Sequence, residues 1–331
     1  MEEVELVIIG AGPAGLFATF CSGLRNINSV TLEGLGKYGG QMQELYPEKL
    51  VYDVQGVPKT TANELAKNMY EQAIMLKKPI KFNSNVTDII PNNDKTFYIE
   101  VNGVKAYKTK TVLICSGVGY FVPNKLGVAG EDKYAGRGIF YTVKSPSEFK
   151  KKRVAIVGGG DSAFDYAAQI EPFATDIKLL QHNGVLRAAE NSILNVKSKA
   201  WIKILLNTEI KRIDGDDNGI TSIHVFNNVS KEEEDIPIDA LIIAIGHKAM
   251  PNLFKSLPLV TDNRYIRVDT GYRSSIEGVY AVGDVANVSN EPKFALISVG
   301  GAEAYIAINN IKKYLSPQSS LFGEHSSNLN L

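Results

Sequence analysis

The chain has 331 residues, which is enough for about two domains with sizeable cores. Its 36 basic and 36 acidic residues balance, so no overall positive field exists to attract nucleic acid or an anionic membrane. With 44% apolar and 22% charged residues, the composition is that of a folded globular protein and excludes a disordered chain.

The first element in chain order is a short apolar run over residues 4–9, which predicts a strand leading into a glycine-rich turn. No basic segment precedes this run, so we expect no signal peptide. No apolar run along the chain approaches the roughly 18 residues that a membrane-spanning helix needs. We therefore expect a cytoplasmic protein that has neither a membrane nor a nucleic acid as partner.

The turn after this strand carries a GxGxxG pattern, and a helical sequence follows it. In such a turn the first glycine permits a tight bend, the second lets a pyrophosphate approach the backbone, and the third lets the helix pack on the strand. A second apolar strand ends about twenty positions on in an acid that can accept a hydrogen bond from a ribose hydroxyl. The predicted dinucleotide site comprises Gly10, Gly12, Pro13, Ala14, Gly15 and Glu33.

The chain has two cysteines, Cys21 and Cys115, which lie far apart among apolar or small residues. The sequence has no CxxC pair, which excludes a dithiol redox motif and a cysteine-rich metal site. We expect two buried structural thiols and no bound metal.

A second glycine motif follows the apolar run at 153–157, and a helical stretch and another strand at 176–180 come after it. No Lys-Ser or Lys-Thr follows the glycines, so the motif is not a phosphate-binding P-loop. One flavin and one nicotinamide dinucleotide would explain two such sites, because hydride exchange needs both on one scaffold. The alternative is that the two sites are copies that bind the same ligand. The predicted nucleotide residues are Gly158, Gly160, Asp161, Ser162 and Ala163.

Near the end of the chain, a small-residue strand at 278–283 leads directly into Asp284. An acid in this position is often a turn residue or a helix N-cap. The stretch also resembles the second flavin motif of the thioredoxin-reductase-like superfamily. In that superfamily the aspartate bonds the ribityl and pyrophosphate region of the flavin.

The chain as a whole resembles a ferredoxin–NADP reductase of the thioredoxin-reductase-like type. The resemblance is carried by the two glycine motifs, the segment 39–56, the strand end at 115–117, the stretch YAVGDVANV and the tail GEHSS. LYPEK followed by YDVxG is the most specific part, because the wider superfamily shares the glycine motifs but not this segment. Thioredoxin reductases proper carry a CxxC where this chain has Tyr-Thr-Val-Lys at 141–144, so disulfide reduction has no thiol pair here.

The resemblance implies an α/β fold of two Rossmann-like three-layer domains, with the NAD(P)-binding domain inserted into the FAD-binding domain. The FAD domain is expected at 1–117 and 246–331 and the NAD(P)H domain at 118–245. By the same resemblance the active form is a homodimer.

Further site residues follow from the resemblance. Tyr46 would stack on one face of the flavin and His325 on the other, with Ser327 able to reach flavin N5. Gln41, Asp53 and Gly117 would lie beside the flavin. Without the resemblance, Tyr46 would be interpreted as an ordinary aromatic residue, and His325 and Ser327 as tail residues. Gln41 and Asp53 would be interpreted as polar loop residues.

The implied reaction passes electrons from NADPH or NADH through FAD to ferredoxin or a similar iron–sulfur protein, with the protein positioning and shielding the cofactors. Members that prefer NADP carry His-Arg-Arg-Asp after the second strand of the nicotinamide domain. This chain has Gln-His-Asn-Gly at 181–184, which leaves His182 and nearby Arg187 as the phosphate candidates. An NAD(P)H oxidase or diaphorase using oxygen or quinones, and a flavin-bound redox sensor, are the alternatives.

Overall fold

The computed structural model describes residues 1–117, 119, 122–248, 254–262, 265–288 and 291–321. By its internal contacts the chain divides into two compact units. Unit 1 consists of residues 1–120 and 249–331, and unit 2 of residues 121–248. The second unit therefore interrupts the first in sequence.

The elements follow in chain order. Unit 1 begins with β1 (Glu2–Ile9), α1 (Pro13–Leu24), β2 (Ser29–Leu32), α2 (Gln41–Glu44), β3 (Leu50–Val51), β4 (Thr60–Thr61), α3 (Ala62–Ile74), β5 (Ile80–Lys81), β6 (Val86–Pro91), β7 (Phe97–Val101) and β8 (Val104–Ile114). Unit 2 contains β9 (Val122–Pro123), α4 (Glu131–Tyr134), β10 (Ile139–Phe140), a 3-10 helix (Pro146–Phe149), β11 (Arg153–Val157), α5 (Asp161–Ile170), β12 (Asp176–Gln181), α6 (Glu190–Lys197), β13 (Ile202–Leu206), β14 (Thr208–Asp216), β15 (Gly219–Asn227), β16 (Glu233–Pro237), β17 (Ala240–Ile243) and β18 (His247–Lys248). Unit 1 resumes with β19 (Thr261–Asp262), β20 (Tyr265–Val268), β21 (Val279–Ala281), a second 3-10 helix (Gly283–Val285), β22 (Ala286–Val288) and α7 (Ile297–Leu315).

The central sheet of unit 1 has the strand order β5-β2-β1-β8-β7-β6, and β21 also pairs with β8. Strand β1 lies parallel to both β2 and β8. Its Leu6 and Ile8 pack with side chains of α1 and α7, whereas Val7 and Ile9 pack with those of β20 on the opposite face. Because both faces are covered, β1 is apolar without interruption over its second half.

Unit 2 is built around a parallel sheet of order β10-β17-β11-β12-β13 and an antiparallel sheet of order β14-β15-β16. Val154 and Ile156 of β11 face α5, and Ala155 and Val157 face the antiparallel sheet. The alternation again gives three layers, with the parallel sheet in the middle.

In each unit the glycine motif follows the strand at which the strand order reverses. The chain proceeds from β1 to β2 on one side and returns through β8 on the other, and β11 has β12 and β17 as its two neighbours. Ligands of open parallel sheets bind at this reversal, outside the carboxyl ends of the strands. The predicted α/β class with two Rossmann-like domains is therefore confirmed. The glycine loops after β1 and β11 are the candidate ligand sites.

Among the residues that the structure describes, no helix is both long and apolar enough to cross a membrane.

Candidate functional site

The first and last glycines of the N-terminal motif are required by packing. Gly10 has φ +104°, and a Cβ there would lie 2.6 Å from the carbonyl oxygen of Cys115. A Cβ on Gly15 would lie 1.9 Å from the carbonyl oxygen of Gly10. Any side chain at either position would therefore push β1, β8 and α1 apart.

The middle glycine of this motif is different. Gly12 is the N-cap of α1 and has an ordinary φ of −73°. The nearest atom to a Cβ on Gly12 would be the Cα of Gly40, at 3.9 Å. The protein itself leaves the space above Gly12 open, at the positive end of a helix where a phosphate binds favourably.

Glu33 follows β2 and is buried beside the same loop. Its Oε2 accepts a hydrogen bond from the backbone N–H of Ala11 at 2.7 Å, and its Oε1 accepts one from Leu35 at 2.8 Å. Burial raises the pKa of Glu33, an effect that these backbone hydrogen bonds oppose. Each carboxylate oxygen retains a second lone pair, so Glu33 can still accept from a ribose hydroxyl.

The segment after β2 brings Gln41 against residues distant in sequence. The backbone N–H of Gly39 donates to the carbonyl of Ala11 at 2.8 Å, which holds this segment on the glycine loop. Gln41 Nε2 donates to Asp284 Oδ2 at 3.0 Å. A Cβ on Gly117 would lie 3.6 Å from the same Nε2 atom. Three predicted site residues, Gln41, Gly117 and Asp284, thus meet at one place in unit 1.

Tyr46 belongs to the same region. Its pKa is raised first by burial and then by the negative charges of Asp284 and Asp53, so the phenol lies within the field of both carboxylates. Asp53 is an exposed residue whose backbone carbonyl accepts a hydrogen bond from Ser298 Oγ at 3.3 Å. Tyr46 and Asp53 therefore lie near Asp284, in the same part of unit 1 as Gln41 and Gly117.

Three residues near this region were not predicted from the sequence. The buried side chains of Glu303 and Lys293 form an ion pair, with 2.7 Å between Nζ and Oε1. Ser116, next to Gly117, has a buried hydroxyl with no hydrogen-bond partner among the described residues. Glu303 could have been found from the sequence, because it is a single acid among the small and apolar residues at the start of α7. The unpartnered buried hydroxyl of Ser116 fits a site that holds a polar ligand.

The second glycine loop repeats the arrangement in unit 2. Gly158 has φ +142°, and a Cβ there would lie 2.3 Å from the carbonyl oxygen of Ala244. A Cβ on Gly160, the N-cap of α5, would meet no atom of the described residues within 4 Å. Ala163 is buried, whereas Asp161 and Ser162 are exposed in the first turn of α5. The open position again lies at a helix N-terminus.

Asp161 links this loop to the segment that follows the second strand. Its Oδ1 accepts from the backbone N–H of Ala189 at 2.8 Å. The backbone N–H of Arg187 donates to the carbonyl of Gly159 at 2.7 Å. Arg187 is exposed, and within the described part of the chain its guanidinium has no hydrogen bond or ion pair. It is a cation held next to the glycine loop.

Gln181 occupies the position at the end of β12 where an acid would favour NADH and an arginine would favour NADPH. Its buried side chain donates to Asn183 Oδ1 at 3.0 Å and to the carbonyl of Val185 at 2.9 Å. A Cβ on Gly159 would lie 2.6 Å from its amide. Gln181 therefore shapes the loop, and His182 is exposed beside it. His325 and Ser327 lie outside the described residues.

Comparisons with known proteins agree with this geometry. Residues 4–304 match the family model described as pyridine nucleotide-disulphide oxidoreductase. The chain is 48% identical to a ferredoxin–NADP reductase of Picrophilus torridus over 100% of both chains. It is 40% identical to ferredoxin–NADP reductase 2 of Sulfolobus acidocaldarius, over 99% of this chain and 98% of the other.

Solved structures give the same result for the fold. The thioredoxin reductase of T. acidophilum is 27% identical and superposes with a TM-score of 0.80, over 96% of this chain and 100% of the other. The thioredoxin reductase of Lactococcus lactis, in the FR conformation, is 24% identical with a TM-score of 0.80, over 95% and 99%. The chain is an oxidoreductase that belongs to the pyridine nucleotide-disulphide oxidoreductase family and, within it, to the ferredoxin–NADP reductases of the thioredoxin-reductase-like type.

Proposed function

We propose that this protein transfers electrons between NADPH and ferredoxin through FAD, with FAD bound in unit 1 and NADPH in unit 2. The observation that carries the proposal is the pair of glycine loops, each with its middle glycine open to a ligand. Two such loops in one chain suit two dinucleotides. The relatives named as ferredoxin–NADP reductases, at 48% and 40% identity, support the partner.

In unit 1 the chain's own groups match the parts of FAD. The N-terminus of α1 at Gly12 suits a pyrophosphate, and Glu33 suits a ribose hydroxyl. Gln41 and Asp284 provide an amide and a carboxylate for the ribityl hydroxyls, and the unpartnered hydroxyl of Ser116 is available nearby. The donor set therefore fits the group.

Bound flavin would accept a hydride from a nicotinamide and release electrons one at a time to an iron–sulfur centre. The task of the chain is to hold the cofactor and exclude competing acceptors. We assign one face of the flavin to Tyr46, whose partly buried ring lies near Asp284 and Asp53. We place Asp53 and Gly117 beside the flavin as well.

A redox disulfide is not part of the proposal. Both cysteines are buried and free, and burial raises the pKa of Cys21 to about 12. Burial, followed by the charge of Glu303, also raises the pKa of Cys115. A thiol that stays protonated is a poor nucleophile and a poor electron carrier.

For the nicotinamide dinucleotide we propose a modest preference for NADPH over NADH. A 2′-phosphate is bound strongly by paired arginines. Here Arg187 is held at the glycine loop without a partner among the described side chains, and His182 is the other candidate. Because this chain has one arginine instead of two, we expect weaker discrimination between NADPH and NADH than in members that carry the pair.

We further propose a homodimer, and we propose His325 and Ser327 for the second face of the flavin, opposite Tyr46. Both proposals rest on the resemblance to ferredoxin–NADP reductases, since His325 and Ser327 lie outside the described residues.

Steady-state kinetics with several acceptors tests the proposed function. Purified protein should contain about one FAD per chain and reduce ferredoxin with NADPH faster than it reduces oxygen or a quinone. Fast turnover with oxygen and none with ferredoxin would favour the oxidase alternative. Bound flavin that no nicotinamide reduces would indicate a redox sensor.

A further inference from the structure

A buried ion pair lies directly behind the proposed flavin site. Only 7% of each side chain of Lys293 and Glu303 is exposed, and Nζ lies 2.7 Å from Oε1. Replacing a buried ion pair by apolar groups is often neutral or stabilising, so stability alone is a weak reason for its presence. A role of this ion pair in the flavin site would explain its presence.

The second oxygen of Glu303 connects the pair to the site backbone. Glu303 Oε2 accepts a hydrogen bond from the N–H of Gly283 at 2.7 Å. Gly283 has φ +74°, and a Cβ there would lie 3.2 Å from the Cβ of Ala14. Gly283 is thus held between the first turn of α1 and the carboxylate of Glu303.

Asp284 is the next residue along the chain. Its carboxylate accepts from Gln41 Nε2, so the direction in which it leaves Gly283 decides whether this hydrogen bond forms. Glu303 does not itself contact Gln41 in the described contacts; it acts on the backbone that carries Asp284. The ammonium of Lys293 offsets the charge of Glu303, so that this end of the site does not hold two uncompensated carboxylates.

We propose that Glu303, held by Lys293, is a positioning residue of the flavin site that fixes Gly283 and thereby aims Asp284, while Lys293 sets the local charge. This inference rests on the proposed binding of FAD in unit 1. The charge of Glu303 already acts on this part of the molecule, since it contributes to raising the pKa of Cys115, two residues before Gly117.

Three variants separate position from charge. Lys293→Met leaves a buried carboxylate without its cation. We expect the dissociation constant of FAD to rise by about tenfold or more. Because reduced flavin carries more negative charge, the same variant lowers the midpoint potential of the bound flavin. Glu303→Gln retains an oxygen acceptor for Gly283 but removes the negative charge, and it raises the midpoint potential. The double variant Lys293→Met, Glu303→Leu removes both charges and also the acceptor for Gly283, so its potential returns toward the wild-type value while its FAD affinity stays low.

The measurements are the dissociation constant of FAD from reloaded apoprotein and the midpoint potential titrated against a redox dye. Lys108→Met is the matched control, because it breaks a lysine–carboxylate pair of unit 1 between β8 and Asp94. Opposite shifts of the potential in the two single variants, with recovery of the potential but not of the FAD affinity in the double variant, support the proposal. Wild-type affinity and potential in both, or shifts in the same direction, overturn it.

If Lys293→Met does not fold, Glu303→Gln decides alone, since it is isosteric and its potential either rises or does not. Neither measurement involves ferredoxin. A wild-type protein that binds FAD but does not reduce ferredoxin would contradict the proposed function and leave this test intact.

Discussion

At the scale of single residues, the glycines of each motif fall into two kinds. Gly10, Gly15 and Gly158 lie so close to backbone carbonyl oxygens that no side chain fits. Gly12 and Gly160 have room around them. The first kind is needed for folding, and the second kind is free for a ligand.

This difference makes the two sites separable by mutation. We expect Gly12→Val to yield folded protein without FAD, because the new side chain fills the space that the pyrophosphate would occupy. Gly160→Val should retain FAD but lose reduction by NADPH. Flavin absorbance and thermal denaturation check both. Gly12→Val protein with a full complement of FAD would show that the loop does not hold the pyrophosphate.

Arg187 is the residue on which nucleotide preference should depend. A charge-assisted hydrogen bond contributes about 1.5–3 kcal/mol, so Arg187→Ala should raise the KM for NADPH by roughly 10- to 100-fold. The KM for NADH should change little. Lys203→Ala, which removes an exposed cation of β13 in the same unit, is the control. Equal losses for NADPH and NADH would mean that Arg187 does not recognise the 2′-phosphate.

The Gln41–Asp284 hydrogen bond joins residues 243 positions apart, and local sequence patterns contain no information about such a pairing. The glycine loops are predictable because their requirements are local: a tight turn and a helix start. Gln181 occupies the expected place at the end of β12, yet its buried amide serves the loop instead of a ribose. The position is predictable, but the direction of the side chain depends on packing.

At the scale of elements, β1, α1, β11 and α5 follow directly from apolar runs and glycine signals in the sequence. Sequence patterns do not delimit the two-residue strands or the antiparallel sheet of β14, β15 and β16. Their pairing depends on tertiary partners more than on periodicity. The buried ion pair of α7 does not follow from local sequence patterns either.

The antiparallel sheet of unit 2 contains a pH-sensitive contact. His224 on β15 lies between Asp235 and Glu233 of β16, with Nδ1 2.8 Å from Asp235 Oδ1 and Nε2 3.3 Å from Glu233 Oε2. Hydrogen bonding to Asp235 is the main cause that raises the pKa of His224, while desolvation and, to a lesser degree, the charge of Arg212 oppose it. The charged histidine therefore favours the folded state.

The sign of the pH effect follows from the raised pKa. The stabilisation is fully present below the unfolded pKa of about 6.5 and is lost as pH rises through the higher folded value. We expect His224→Gln to lower Tm relative to the wild type at about pH 5.5 and to lower it less at about pH 8.5. A Tm difference that is the same at both pH values would contradict this assignment.

At the scale of the whole molecule, the absence of a redox disulfide distinguishes this protein from the thioredoxin reductases whose fold it shares. We expect the variant Cys21→Ala, Cys115→Ala to keep ferredoxin reduction, at a cost of about 1 kcal/mol of stability for each lost thiol. Thiol-specific reagents should label the native wild type slowly, because burial raises the pKa of both thiols. If the variant binds FAD but cannot reoxidise it, one cysteine is catalytic.

We propose that electrons pass from NADPH through FAD to ferredoxin without a thiol. Anaerobic stopped-flow with two successive mixings measures this directly, by following flavin absorbance first with NADPH and then with oxidised ferredoxin. We expect bleaching of the flavin by NADPH and full recovery on addition of ferredoxin, with no recovery on addition of oxidised thioredoxin. Flavin that NADPH does not bleach, or that only a disulfide substrate restores, would contradict it.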